Sequence, residues 1–431
     1  MNNFYKFAAV SAVALACADA HAAGYQLNEY SVTGLGRSFA GVGVAGDDYS
    51  ALAYNPAGMT LMPRSGAQLG TTITQVRSKV HGDNGEKTDM DFLIPLPSAF
   101  GQYNVNDKVF LGAGIYVPFG LATRYKGDSF IGEAGGVGPS GVRKSELEVI
   151  DFNFSGAYKL NSNWSFGASA IFRRITGSLT SNIYKDLPML GRTNIAYSDF
   201  KVKGYTGTFN IGAMYEFNED ARVGLSYRHK SIQKTSGKHY VRVKKDLLEG
   251  PFGPALAPLN GKFHSAADPE LPASIILSGY YKTAPQWATT ATVKYTLWHR
   301  FGVFPGKTTD KALLAGAGKK NLDVEYRWKD AWNIALGEDY YLNKNWTLRA
   351  GVAYDQSPSR SNTYRTNRIP DTDRVWVSLG ASYIKDNYQI DFGYAHLFFA
   401  HGRTRNSPSG DTNAKYHSYS NMLGLNFQYK F

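Results

Sequence analysis

The chain has 431 residues, a net charge of +12, one cysteine, and 29 Tyr, 24 Phe, 7 Trp and 45 Gly. A lone cysteine excludes a disulfide scaffold, and no window of about eighteen uncharged apolar residues offers a membrane-spanning helix. Abundant aromatics and glycines without a spanning helix suit a membrane barrel of strands, with aromatic girdles at both interfaces.

Residues 1–22 read as a targeting segment. Lys6 precedes an apolar run from Phe7 to Ala18, and Ala20-His21-Ala22 supplies a small-x-small cleavage pattern, which puts the mature start at Ala23. Cys17 lies inside this segment, and Ala14 stands where a lipoprotein signal needs leucine, so lipidation is not expected.

Residues 23–64 are of another kind. Gly24 to Arg64 is rich in Gly, Ala, Ser and small polar side chains and shows neither strand alternation nor a helical stripe. Such a segment ahead of a long strand series needs a place of burial. The expectation is a hatch inside the barrel formed by residues 65–431, with Asn55-Pro56-Ala57 marking the hand-over to the first strand and belonging to the gate.

From Ser65 onward the pattern alternates. Ile150, Phe152, Phe154 and Tyr158 alternate with Asp151, Asn153, Ser155 and Ala157, and Trp164, Phe166 and Phe172 with Ser165, Gly167 and Arg173. The last segment sets Leu423, Leu425, Phe427, Tyr429 and Phe431 against Met422, Gly424, Asn426, Gln428 and Lys430. One such strand would also suit a soluble sandwich. Aromatics at the strand ends, such as Trp164, Trp346, Tyr388 and Tyr429, favour apolar residues facing lipid and polar ones facing a wet lumen.

Connection lengths alternate too. Short turns fall at 104–108, 160–163, 217–221, 283–286, 342–345 and 385–388, with long segments between them. Pairing each short turn with two strands predicts an antiparallel transmembrane β-barrel of about fourteen strands, with both termini on the periplasmic side.

Lumen-facing parity collects Arg173, Arg222, Arg228, Lys294, Arg349 and Arg374 against Asp151, Glu216 and Asp391. These charges form wall ion pairs, or else Arg173, Arg349 and Arg374 meet a carboxylate, whose geometry an arginine fork matches. Phe100, Tyr116 and Trp376 are the wall aromatics expected along a solute's path. In the long segments Leu187, Leu190, Phe252, Leu256 and Leu259 either pack loop on loop or gather a hydrophobic solute. The nearby Lys234, Lys238, Arg242, Lys244 and Lys245 suit lipopolysaccharide phosphates. Signatures of hydrolase, metalloprotease or nucleotide sites are missing from the sequence, so neither enzyme activity nor a metal or cofactor is expected. Nucleic acid is not a partner in an exported compartment.

Several stretches resemble the FadL-type outer-membrane long-chain fatty acid transporters. They are AGYQLNEYSVTGLGRSFAG at Ala23–Gly41, NPAGM at Asn55–Met59, FGLATRY at Phe119–Tyr125, NFSGAYKLNSNWSFG at Asn153–Gly167, LPASIILSGY at Leu271–Tyr280 and IPDTDRVWVSLGASY at Ile369–Tyr383. The resemblance implies a monomeric fourteen-strand barrel in a Gram-negative outer membrane, with an N-terminal hatch in the lumen. It further implies loop capture of a hydrophobic substrate, a site near the hatch, and sideways exit at a kink in the third strand. One branch of this family is associated with aromatic hydrocarbons, and an adhesin or phage-receptor role is a further alternative. The third strand, Val109–Gly120, carries Gly112, Gly114, Pro118 and Gly120 on lumen parity, residues suited to an interrupted ladder.

Overall fold

The computed structural model describes residues 24–83, 85–126, 132–135, 138–301, 303–316, 322–408 and 411–431. The expected targeting segment and its cleavage site lie outside these residues.

Fourteen antiparallel strands form the wall among the described residues: β1 Gly66–Gly82, β2 Lys87–Asn104, β3 Val109–Arg124, β4 Gly138–Lys159, β5 Trp164–Leu187, β6 Gly191–Asn218, β7 Ala221–Arg228, β8 Ser274–Ala284, β9 Trp287–Thr296, β10 Ala331–Tyr341, β11 Trp346–Asp355, β12 Arg374–Lys385, β13 Tyr388–Phe399 and β14 Ala414–Lys430. Each pairs with its neighbour in sequence, and β14 pairs back onto β1 from Gly66↔Lys430 to Gly82↔Ala414, which closes the barrel. Closure removes the unpaired sheet edges that lipid cannot tolerate.

All six short turns expected from the sequence connect wall strands here, and the long connections gather at the opposite end. β5 and β6 run for 24 and 28 residues, well beyond the roughly 9–11 that cross a bilayer. Their outer halves stand above the membrane as a wall on which the loop strand Lys234–Val243 pairs. On β14, Phe427 is 50 % exposed and Gln428 is 0 % exposed. The same inside-out pattern holds for Leu69 and Ile73 on β1 and for Leu423 and Leu425 on β14, all exposed and apolar. Apolar side chains therefore face lipid and polar ones the lumen.

The lumen is filled by Gly24–Arg64, nearly all of it buried. Of its short helical turns, Val32–Leu35, Ala51–Tyr54 and Pro56–Leu61, the first two are joined by one carboxylate. Asp48 accepts from the Ser31 hydroxyl (2.6 Å), the Thr33 hydroxyl (2.8 Å), and both the N–H (3.0 Å) and hydroxyl (2.6 Å) of Ser50. A buried charge of this kind needs such a set of donors to be tolerated. The barrel ends meet below the hatch, where the Phe431 N–H donates to Ser65 O and Arg64 Nε to Phe431 O. The other end of the hatch departs from expectation. Gly24 lies against Trp298 and Pro358 of the long loops, so the segment runs the height of the lumen and its leading end is not periplasmic.

Hatch and wall meet backbone to backbone. A Cβ on Gly36 would fall 2.9 Å from the Gly380 Cα, and one on Gly351 would fall 2.2 Å from the Arg37 carbonyl carbon. A Gly351→Val variant is expected to push the hatch off β11 while the wall ladder survives. Planar-bilayer conductance should rise severalfold, with unboiled electrophoretic migration still that of a folded barrel. Unchanged conductance would mean that the hatch relaxes around the added side chain.

Candidate functional site

The wall has one weak seam. β1 and β2 stay in register from Gly66↔Gln102 to His81↔Lys87, but β2 and β3 pair only from Ala99↔Ile115 to Asn104↔Phe110. Above Ala99, β2 reads Pro95-Leu96-Pro97-Ser98. A proline has no N–H to offer a ladder. Because β1 remains paired straight through Pro95 and Pro97, the edge that lacks donors is the one turned towards β3. β3 answers with a bulge: Tyr116 opposes Asp151 and Phe119 opposes Val149, so three residue steps on β3 face two on β4.

The free edge of β3 is taken up by the hatch. The Leu27 N–H donates to Pro118 O (2.9 Å) and the Gly120 N–H donates to Tyr25 O (3.0 Å), with Gln26 bridged to Phe119. Backbone groups released by the seam thus find partners in the leading end of the hatch.

A cavity of about 1060 Å³ opens at this place, at the upper end of the range for small-molecule sites. Tyr25 and Leu27 form its floor, and Ile94, Leu96, Leu121, Leu147, Leu397 and Phe399 are among its apolar walls. Its lining includes Pro95, Pro97 and Val117, whose side chains point outward, so the cavity continues through the wall. A smaller pocket of about 60 Å³ adjoins it under the loops, sharing Tyr25, Leu121, Leu147 and Ile369 and adding Phe301, Phe304 and Tyr326. Tyr25 stands in an aromatic box, its ring 5.0 Å from Trp298, 5.5 Å from Phe301, 5.7 Å from Trp328 and 6.1 Å from Phe119. Beside the hatch the cavity's polar lining is Glu29, Asp371 and Arg374, and Arg124, Glu146, Glu148, Lys201, Lys203 and Lys238 also border it. Burial pushes the Asp371 carboxyl up to about 7, against the pull of Arg374, the Gly24 N–H and Ser357.

Residues 13–431 match the family of outer membrane protein transport proteins (OMPP1/FadL/TodX). The chain belongs to this family. It is 31 % identical to a long-chain fatty acid transport protein of Escherichia coli O6:H1 over 99 % of each chain. It is 30 % identical to outer membrane protein P1 of Haemophilus influenzae over the full length of both. A FadL homologue of Pseudomonas aeruginosa superposes with a TM-score of 0.81 at 24 % identity, covering 95 % of this chain and 100 % of that one. The toluene transporter TbuX of Ralstonia pickettii gives 0.66 at 18 % identity, covering 94 % and 99 %. The protein is a FadL-type transport barrel of the Gram-negative outer membrane.

Within this barrel the three selected arginines are all committed to wall or hatch carboxylates. Arg173 Nε and Nη2 donate to both oxygens of Asp151 (2.6 and 2.8 Å), with Nη1 on the Ser231 hydroxyl. Arg349 lies at the base of the hatch in a buried quartet: Arg37 bridges Asp47 and Asp339 (2.8 Å each), and Arg349 reaches Asp47 at 3.0 Å and Asp339 at 3.5 Å. Arg374 Nε and Nη2 both donate to one oxygen of Asp355 (2.9 Å). Of the three, Arg374 alone borders the cavity.

The expected path aromatics pack against the hatch instead of lining the cavity. Phe100 stacks on Tyr116, Tyr116 on Tyr30 of the hatch, and Trp376 meets Phe39 edge-on. Their lumen parity is right, but the hatch occupies that depth. Among the loop residues, Leu187, Leu256 and Leu259 are buried in a loop-on-loop core with Phe252 packed against it, while Leu190 stays 56 % exposed beside a fully exposed Met189.

Asn55-Pro56-Ala57 is anchored against the wall. Asn55 caps the turn that follows through the Ala57 N–H (3.1 Å) and donates to Ala213 O (3.1 Å). It sits in a notch where a Cβ on Gly212 would fall 1.9 Å from the Asn55 side chain and one on Gly167 2.5 Å from Ala57 N. The third-strand set divides likewise. Gly112 and Gly114 stay paired to β2 and admit hatch and wall side chains (Met59, Leu52 and Phe100), so they do not make the kink. Pro118 does, and the bulge moves lumen parity from Gly120 to Phe119 and Thr123. The aromatic box and the β2 prolines escaped the sequence reading. Proline twice within an otherwise regular strand was the available signal.

Replacing Pro95 and Pro97 together by Val is expected to extend the β2–β3 ladder and narrow the seam. Amide exchange at 93–98 should slow, and cargo uptake should fall at least fivefold with surface expression unchanged. Arg349→Met leaves two buried carboxylates sharing Arg37 and should cost about 3–5 kcal/mol. A lowered denaturant midpoint with faster proteolysis of the hatch would register that loss, and an unaltered midpoint would contradict it.

Proposed function

We propose that this barrel carries hydrophobic compounds passively across the outer membrane, long-chain fatty acids foremost. Cargo settles in the apolar cavity above Tyr25 and Leu27 and leaves sideways through the seam between β2 and β3. The observation carrying this reading is the continuity of the cavity from an apolar interior to outward-facing Pro95, Pro97 and Val117. An exit at that height delivers an apolar molecule into lipid without crossing the water-facing base of the hatch. Exposed Met189 and Leu190 offer a first apolar contact at the loop tips, and the small pocket lined by Phe301, Phe304 and Tyr326 an intermediate stop. The names of the relatives at 30–31 % identity favour a fatty acid. Of the cations bordering the cavity, Arg374, next to the hatch, is the one we propose to meet its carboxylate, by sharing with Asp355.

A second reading, uncharged hydrocarbon, draws on the same residues. Arg374 already has a carboxylate partner, and Glu29 and Asp371 put further acid at the cavity rim. The deciding experiment is uptake of labelled oleate and labelled toluene by a host lacking its own transporter, with and without this chain. For a fatty acid channel, Arg374→Met should weaken oleate binding about tenfold, equivalent to about 1.4 kcal/mol, and leave toluene unaffected. Toluene uptake indifferent to the variant, without oleate uptake, would select the second reading. No gain for either compound would overturn both.

A further inference from the structure

A band of basic side chains crosses the outward face of the barrel at its long-loop end. The register sets Arg403, in a short loop strand, opposite Lys415 of β14, Lys415 opposite His81 of β1, and His81 opposite Lys87 of β2. Two residues lower, His417 of β14 lies opposite Lys79 of β1. All six side chains are exposed. His401 completes the group, its ring 4.6 Å from His417, which is itself 6.3 Å from His81.

Side chains directly opposite on neighbouring strands sit about 4.5–5.5 Å apart, and like charges placed so are destabilising. Arg403 and Lys415 are directly opposed like charges, and Lys87 lies one histidine further along the row, so the arrangement is costly unless an anion bridges it. The protein supplies little: Lys79 faces Asp89 across the β1–β2 ladder, Asp89 is itself bound to Lys126, and among the described residues Lys87, Lys415 and Arg403 have no ion-pair partner. Nearby wall carboxylates are already engaged, Asp91 by Arg77 and Asp89 by Lys126. The remaining acidic residues of this hairpin, Asp83 and Glu86, belong to the turn beyond the row.

Height identifies the missing anion. Below the band, the outward face of β14 carries Tyr419 and Asn421, opposite Arg77 and Gln75, and then the exposed apolar Leu423, Leu425 and Phe427. Lys415 stands four residues above Tyr419, roughly 13 Å of strand, and tilt brings it to the depth of the headgroups. The long-loop end is the outer one, and the outer leaflet of this membrane is built of a phosphorylated glycolipid. Lysine and arginine bind phosphate by charge-assisted hydrogen bonds.

We infer that the β14–β1–β2 face is a docking site for the phosphorylated headgroup of an outer-leaflet glycolipid, held by Arg403, Lys415, Lys87 and Lys79 with the three histidines around it. The site is separate from the basic run at 234–245, which lies on and beside the β6 wall. It rests on the outer-membrane placement of the barrel and not on the uptake reading, so either can fail without the other.

The test is titration of the full chain in micelles with diphosphorylated lipid A, its phosphate-free form, and phosphatidylglycerol, read by native mass spectrometry. Diphosphorylated lipid A is expected to bind at least tenfold more tightly than either alternative. The variant Lys87→Gln/Arg403→Gln/Lys415→Gln should lose that advantage, while Lys201→Gln/Lys203→Gln on the β6 wall keeps it. If the triple variant does not fold, Arg403→Gln alone should show a loss of about threefold. Equal binding of the phosphate-free form, equal binding of phosphatidylglycerol, or undiminished binding by the Lys87, Arg403 and Lys415 variants would each overturn the assignment.

Discussion

Inside a bilayer an unpaired backbone N–H or C=O costs several kilocalories per mole, and the rest of this structure follows from that constraint. Thirteen of the fourteen interstrand ladders meet it by pairing along the wall. The ladder between β2 and β3 stops at Ala99↔Ile115 because Pro95 and Pro97 have no donors to continue it. The shortfall on β3 is made good by Tyr25 and Leu27, which belong to the hatch. Opening in the wall and plug in the lumen are therefore one feature: the segment that blocks the barrel also completes the strand edge that leaves it open.

Charge inside the lumen obeys a similar economy. Arg37, Asp47, Asp339 and Arg349 form a neutral quartet at the base of the hatch, and Asp151 takes both Arg173 and Arg228. A buried ion pair contributes little to stability beyond its own desolvation, but leaving one partner unmatched is costly. These networks thus hold the hatch in one position more than they strengthen it. The Asn55 notch adds a steric lock, so the lower hatch is fixed by both charge and shape. The upper end, from Gly24 to Leu27, is held by two backbone hydrogen bonds, the Gly24–Asp371 and Gln26–Thr296 contacts and an aromatic box.

Much of the architecture was legible because a barrel wall repeats a simple rule. Alternation with period two marked the strands, and the six short turns gave their number and connectivity. Lumen parity correctly picked out Arg173, Arg349 and Arg374 as inward-facing. Parity says which side a residue faces and nothing about what fills that side. Phe100, Tyr116 and Trp376 face inward as expected, yet meet Tyr30 and Phe39 of the hatch in place of a cargo. Gly120 was misplaced because a bulge two residues earlier shifts the phase, and a one-residue shift reverses every side chain beyond it.

The sequence by itself determined the period-two alternation of the strands, an irregular small-residue segment ahead of them, and the division of connections into short and long. These are local properties, set by side-chain period and turn length. Tertiary structure alone decided that the hatch reaches the long-loop end, that the wall cations are already paired, and that Trp298, Phe301 and Trp328 converge on Tyr25. Those outcomes depend on contacts between residues hundreds of positions apart, such as Arg37 with Asp339 and Gly24 with Asp371. No pattern along the chain encodes which distant partner will be met, because closure of the barrel fixes those distances only when all fourteen strands are in register.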